Sequence, residues 1–243
     1  DNYEVCTLTG MYNAEGEGSI NADMTLQRTP LLLLNGFVPD KLLTFMGYAQ
    51  GEVKVKGSLA RPEVNGELYF DSAYVASEPY GVKMRLCDDQ LAINNSRMQF
   101  ENFQLFARNG NALTLYGYFD FADFDRMNTY LRMRADNYLL IDSKENARSE
   151  AYGKAYVNFL GLVDGPLDAL RMRGKLDVLG SSNVTYILRD SPLSTESQLD
   201  GLVKFVNFRK PETATVAKPP INGLNMDLTV NVDDGAHVLC ALN

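Results

Sequence analysis

Val55-x-Gly57-x-Leu59 is followed after six residues by Gly66-x-Leu68, and Val163-x-Gly165-x-Leu167 by Gly174-x-Leu176 at the same spacing. Each copy predicts a strand, a proline-containing turn (Pro62 or Pro166) and a second strand. Such a repeat constrains the fold more than any single residue does. A supersecondary unit used repeatedly cannot bury its apolar face alone and must lay it against its neighbours.

Between and around the copies, apolar and polar residues alternate. Ile20, Ala22, Met24 and Leu26 do so, as do Val53, Val55 and Leu59, and Leu113, Leu115, Phe119 and Phe121 around Gly117. Leu131, Met133 and Ala135 follow, then Leu170, Met172, Leu176 and Val178, and last Leu224 to Val232. Period-2 alternation predicts strands with one apolar face and one wet face. Asn65-Gly66, Asn109-Gly110-Asn111, Asp164-Gly165-Pro166, Asn222-Gly223 and Asp234-Gly235 read as turns between them. One short helix is expected near 39–46, opened by Pro39-Asp40, with Leu42, Leu43, Phe45 and Met46 as its apolar side and Gly47 as its stop. It would plug one end of a sheet or gate it. Residues 142–150 read as a short loop, and 209–221, aperiodic with three prolines, as a longer one.

A long meander with one apolar face must hide that face. It can stack on a second sheet, close into a barrel or curl into a trough, and alternation alone does not choose. The apolar positions are rich in Met and Phe: Met24, Met98, Met133 and Met172 with Phe100, Phe103 and Phe119 among them. These side chains fill an ordinary core or line an adaptable surface for a soft ligand.

At 243 residues, 45% hydrophobic and 22% charged, the chain is large enough for a real core and is not disordered by composition. A net charge of -8 argues against nucleic-acid backbones and anionic membrane surfaces as partners. Cys6, Cys87 and Cys240 are far apart, without metal-ligand or CxxC spacing, and are expected as buried thiols. Apolar runs such as Leu31–Leu34 fall far short of the ~20 residues that span a bilayer as a helix. Both ends of the chain fall inside patterned sequence, which suggests a piece of a longer protein.

Enzyme chemistry finds no anchor. His237 is the single histidine, in a turn-then-strand context, so no Ser-His-Asp or Cys-His set can be assembled without it. No zinc motif is present, and the acidic pairs Asp88-Asp89, Asp123 with Asp125, and Asp233-Asp234 sit in turn-like sequence without calcium-loop spacing. Gly16-Glu17-Gly18 lacks the context of a phosphate loop. Asn183-Val-Thr185 and Asn94-Asn-Ser96 match glycosylation acceptors at a rate chance allows. No catalytic residue, metal or cofactor is expected.

Two stretches carry a resemblance. One is Leu33-Leu-Asn-Gly-Phe-Val-Pro39 leading into Gly51-Glu-Val-Lys-Val-Lys-Gly57 and Arg61-Pro-Glu-Val-Asn-Gly66. The other is Tyr152-Gly-Lys-Ala-Tyr156, then Val163-Asp-Gly-Pro-Leu167 and Asn183-Val-Thr-Tyr186. From about Gly18 to Phe208 the chain resembles the C-terminal part of TamB-like proteins (the translocation and assembly module family, within the AsmA-like group) of the Bacteroidetes type. The resemblance implies an envelope protein of Gram-negative bacteria, anchored in the inner membrane by a segment absent from this chain and crossing the periplasm. It implies a β-taco fold, an elongated sheet curled around an apolar interior. It also links the chain to phospholipid transport and to outer-membrane protein assembly with a TamA-like barrel partner contacted through regions outside this chain.

The expectation is therefore an all-β protein, residues 1–243 forming a single repetitive segment. Its elongated antiparallel sheet curls into a trough with an apolar interior and at most one or two short helices. The stripe lining the groove is predicted as Val53, Val55, Leu113, Leu115, Phe119, Leu131, Met133, Leu170, Met172, Leu176, Leu228 and Val230. A sheet of about fifteen strands at ~4.8 Å each would make a groove roughly 70 Å long. The expected ligand is a phospholipid or another acyl-chain lipid. The alternatives are a scaffold that captures barrel-protein strands at its edges and a closed barrel holding a small apolar ligand.

Overall fold

The computed structural model describes residues 5–15, 18–37, 43–58, 61–188 and 224–242. Fourteen strands follow in chain order: β1 (Cys6–Asn13), β2 (Ser19–Pro30), β3 (Thr44–Ser58), β4 (Pro62–Ser77), β5 (Val82–Leu86), β6 (Leu91–Asn94), β7 (Arg97–Phe106), β8 (Ala112–Asp120), β9 (Asn128–Ser143), β10 (Ala151–Pro166), β11 (Leu170–Val178), β12 (Asn183–Leu188), β13 (Leu224–Val232) and β14 (His237–Leu242). All belong to one sheet, ordered β1-β2-β3-β4-β5-β7-β8-β9-β10-β11-β13. The class is all-β, as the alternation predicts.

Three of the sheet positions are filled by two strands end to end. β4 pairs with β5 along one half and β6 along the other, and β10 pairs likewise with β11 and β12. β13 and β14 run parallel to β11 and β12. Fourteen strands thus occupy eleven lateral positions, and at about 4.8 Å each the sheet is about 50 Å across, shorter than the ~70 Å expected. The shortfall arises because turns such as Asp88-Asp89 interrupt long strands without adding a rung.

The repeat is a duplication of register. Val55 pairs with Val64 and Val163 with Met172; Val53 pairs with Gly66 and Gly161 with Gly174. Each position of β3 and β4 maps 108 residues on, as 55 to 163 and 66 to 174. The correspondence extends to four strands. Gly10 faces Ala22 as Gly117 faces Leu131, and Leu8 faces Met24 as Leu115 faces Met133. Even the irregularity is shared: pairing skips from Leu26 to Thr29 on β2 and from Ala135 to Tyr138 on β9. β1–β4 and β8–β11 are two copies of one unit. Leu59 and part of the first copy's turn lie outside the described residues.

The expected helix does not form at 44–46, where Phe45 and Met46 open β3; Pro39–Leu42 lie outside the described residues. Pairing of Phe45 with Val75 and Met46 with Tyr74 outcompetes the local signal. The helical turn lies earlier, a 3-10 segment at Leu31–Phe37. Its Leu31 is buried on Ala49 and Ala73, while Leu32, Leu33 and Leu34 stay exposed. Asn35 clamps it, accepting from the Phe45 N–H at 2.6 Å and donating to the Phe45 carbonyl at 3.1 Å.

Three further expectations are corrected. Asn65-Gly66 is interior to β4 and makes no turn; a side chain at Gly66 would press on the Val53 backbone of β3. The loop expected at 142–150 begins only after β9 ends at Ser143. Cys87 is buried, but Cys6 and Cys240 are exposed on β1 and β14, edge strands with a neighbour on one flank only among the described residues. The expected loop 209–221 and turn Asn222-Gly223 lie outside the described residues.

The sheet is bent upon itself at one end. β7 and β8 separate β5 from β9 in the sheet order, yet the Asp142 N–H donates to the Gly81 carbonyl at 3.0 Å. The N–H groups of Glu150 and Ala151 both donate to the Pro79 carbonyl, and Arg148 pairs with Glu78 at 2.7 Å. Inside this bend Met84 packs against Ala135, Tyr138, Leu139 and Val157. Tyr138 is 1% exposed, and its hydroxyl has no protein partner among the described residues. Burial holds the phenol far above its usual range. Tyr138→Phe removes an unpaired polar group and keeps the ring. We expect it to leave stability unchanged or raise it by about 1 kcal/mol in urea unfolding; a loss of that size would reveal a partner for the hydroxyl.

Candidate functional site

Side chains of directly opposed residues lie on the same face of a sheet, so the registers identify which residues share the apolar side. One lane runs Leu8, Met24, Val53, Gly66, Ile93, Met98, Phe119, Thr129, Gly165. The next runs Phe103, Leu115, Met133, Gly161, Gly174, Leu228, and a third Leu105, Leu113, Ala135, Phe159, Leu176, Val230. A fourth joins Gly117, Leu131, Val163, Met172 and Met226. Val55 falls two residues from Val53, and Leu170 two from Met172. All twelve residues of the predicted stripe therefore lie on one face. Across these lanes the only polar side chain is that of Thr129, whose hydroxyl donates to the Tyr118 carbonyl at 3.1 Å.

The stripe is not evenly covered. Val53 and Leu115 are buried at 4% and 8% exposure, and Phe103, Leu91 and Cys87 pack with Leu115. Phe103 makes edge contacts with Phe70 and Phe100 at ring separations of 6.0 and 5.7 Å. Val55, Leu113, Phe119, Leu131, Met133, Leu170, Met172, Leu176 and Leu228 are half-buried. Toward both edges the same face is open: Leu8 is 64% exposed, Met226 60% and Val230 54%. Val230 thus belongs to the face but is not enclosed. Among the described residues no strand lies beyond β13 to cover it.

The opposite face is wet and carries cross-strand ion pairs. Asp164 and Arg171 are cross-strand partners joined at 2.8 Å, and Arg173 reaches the same carboxylate at 3.4 Å. Arg97 and Asp120, also directly opposed, meet at 2.7 Å, and the Arg97 guanidinium lies 4.4 Å over Tyr118, which stacks on Tyr130. Burial works to raise Asp120. The Arg97 hydrogen bond, the Ala122 N–H and the Arg97 charge outweigh it and hold the carboxyl below its usual range. Asn231 and Lys175 lower Asp177 in the same way.

Alternation missed several members of the apolar face, including Ile93, Leu91 and Val157, and placed Phe103 among the apolar positions without assigning it to the stripe. Bulges shift the phase of the pattern. Asn102 and Asn137 adopt φ of 61° and 47° at the irregularities of β7 and β9. Their signal is an asparagine that breaks an otherwise regular run, since Asn tolerates the left-handed region best after Gly.

Ser96, of the glycosylation-like Asn94-Asn-Ser96, is 1% exposed, and its hydroxyl donates to the Pro62 carbonyl at 2.5 Å and accepts from the Val64 N–H at 2.9 Å. His237 is exposed at the start of β14. Among the described residues no three His, Cys, Asp or Glu side chains converge as a metal site. No helix there is long and apolar enough to cross a membrane. No family model, curated protein or solved structure matches the chain.

Proposed function

We propose that this chain is a segment of a TamB-like, periplasm-spanning envelope protein whose apolar β-face conducts phospholipids between inner and outer membrane. The observation that carries the reading is the near-continuous apolar face from β1 to β13, backed by a charged outer face. Acyl chains are apolar along their length, so a stripe holds them without specific hydrogen bonds. Headgroups can remain in water at the open lip. Burial at about 25 cal/mol per Å² of apolar surface opposes escape into the aqueous phase. Half-buried Met133 and Met172 supply side chains that repack around a mobile chain. The reading assigns no enzyme activity to the chain.

A scaffold role in outer-membrane protein assembly is the second reading. It is favoured by the edge strand β1, which pairs only with β2 among the described strands and so offers backbone groups to an added strand. A photo-crosslinking residue placed at Val55, Met133 or Met172 of the full-length protein in cells separates the two. Conduction predicts phospholipid adducts at these positions and none at Lys54, Tyr116 or Arg171 on the outer face. Equal labelling of both faces, or adducts with protein alone, would put the scaffold first.

A further inference from the structure

The bend where β5 meets β9 leaves two neighbouring cavities, of about 540 and 490 Å³. The first is lined by Lys83, Arg85 and Arg108 with Tyr74, Phe106 and Leu140 among its walls. Arg108 and Asp142 also line the second, together with Ser143, Lys144, Lys154 and Asn183. Lys83 and Arg85 alternate along β5 with Met84 and Leu86, which pack into the apolar clusters. They therefore point away from the apolar face, and these cavities are separate from the proposed lipid stripe.

The charge of this cleft is opposite to that of the molecule. Lys83, Arg85, Arg108, Lys144 and Lys154 line it against one carboxylate, Asp142, in a chain of net charge -8. Arg108 holds Asp142 at 3.1 Å, and Lys154 is the cross-strand partner of Asp142. Arg85 also lies 3.7 Å from Asp88, outside the lining. No ion pair joins Lys83, Lys144 or Lys154 to another described residue. Two cations are instead steadied on rings: Lys83 lies 4.7 Å from the Tyr74 centroid and Arg85 4.7 Å from that of Phe106. A ring positions a cation without cancelling its charge. The Ser143 hydroxyl beside the second cavity is buried without a partner among the described residues. Concave walls concentrate such a local field even when the net charge has the other sign.

We propose that this cleft binds an elongated oxyanion with at least two phosphate-class groups, one in each cavity, astride the Arg108–Asp142 pair. Guanidinium and ammonium groups on both sides would make charge-assisted hydrogen bonds to it. The same chemistry is offered by a soluble oligophosphate and by a lipid headgroup that carries two phosphates.

The test uses the intact chain and tripolyphosphate as probe, followed by calorimetry at low salt. One saturable site is expected, weakened about tenfold in the double variant Lys83→Gln with Lys154→Gln, which removes one cation from each cavity, and screened by added salt. Lys54→Gln, on the outer face away from the cleft, should change nothing, and orthophosphate should bind at least tenfold more weakly. Co-sedimentation with cardiolipin vesicles, whose headgroup carries two phosphates, that the double variant loses would identify a headgroup as the source. Tripolyphosphate binding without vesicle binding would identify a soluble anion. The proposal is overturned by absent tripolyphosphate binding, by an unaltered affinity in the double variant, or by an equal loss in Lys54→Gln. None of these outcomes depends on acyl chains occupying the other face.

Discussion

Gly117→Val is expected to destabilise the protein by about 3–5 kcal/mol, enough to leave little folded chain in mild urea. Gly117 sits at φ 136°, where an L side chain is strained, and its Cβ would overlap the Tyr130 carbonyl and press on Leu131 of β9. Those atoms are backbone of a central strand and cannot swing aside. Gly10 holds the equivalent place in the first copy, where a Cβ would come within 2.5 Å of the Ala22 side chain. Gly10→Val should cost less, about 1–2 kcal/mol, because β1 is an edge strand free to peel outward. Gly36→Ala, with open space around its Cβ, is the silent control. Urea unfolding of the three variants checks the order. A Gly117→Val variant as stable as the parent would show that the register pairing Gly117 with Leu131 is wrong.

Leu115→Glu should prevent stable folding, with a cost of at least about 4 kcal/mol. Leu115 is 8% exposed between Phe103 and Met133, against Cys87 and Leu91, and no cation of the outer face can reach a carboxylate placed there. The neighbouring residue tells the faces apart. Tyr116 is 43% exposed on the wet side, where its hydroxyl donates to Asn102 at 2.9 Å. Tyr116→Gln should cost no more than about 1 kcal/mol, the worth of that hydrogen bond and a little ring contact. Comparable losses in both variants, measured by circular dichroism and urea titration, would contradict a one-sided apolar sheet. Because Leu115→Glu acts on folding, the lipid reading is better probed at half-buried Met172.

The apolar face was legible because a strand has period two. Leu113, Leu115, Leu131, Met133, Leu170 and Met172 could be assigned to one side without knowing their neighbours. The glycine-spaced repeat was legible for a related reason. Gly57 and Gly165 end their strands at φ 96° and 113°, and Gly66 and Gly174 make room for the facing backbone, so each copy needs glycine at the same offsets. Local signals misled where a partner strand outweighed them. Phe45 and Met46 carried a helix-like pattern but pair with β4, and Asn65-Gly66 looked like a turn but lies mid-strand.

What the sequence by itself determined was therefore the class, the two faces of each strand and the existence of a repeated unit, since all three follow from periodicity and local sterics. Only the tertiary structure decided which strands adjoin, how far the duplication runs, and where the sheet bends. Those depend on contacts between residues far apart in the chain, such as Gly81 with Asp142 and Gly10 with Ala22, which no local pattern encodes. The same is true of the basic cleft: Lys83, Arg108 and Lys154 belong to separate stretches of an acidic chain, and the bend alone brings their charges together.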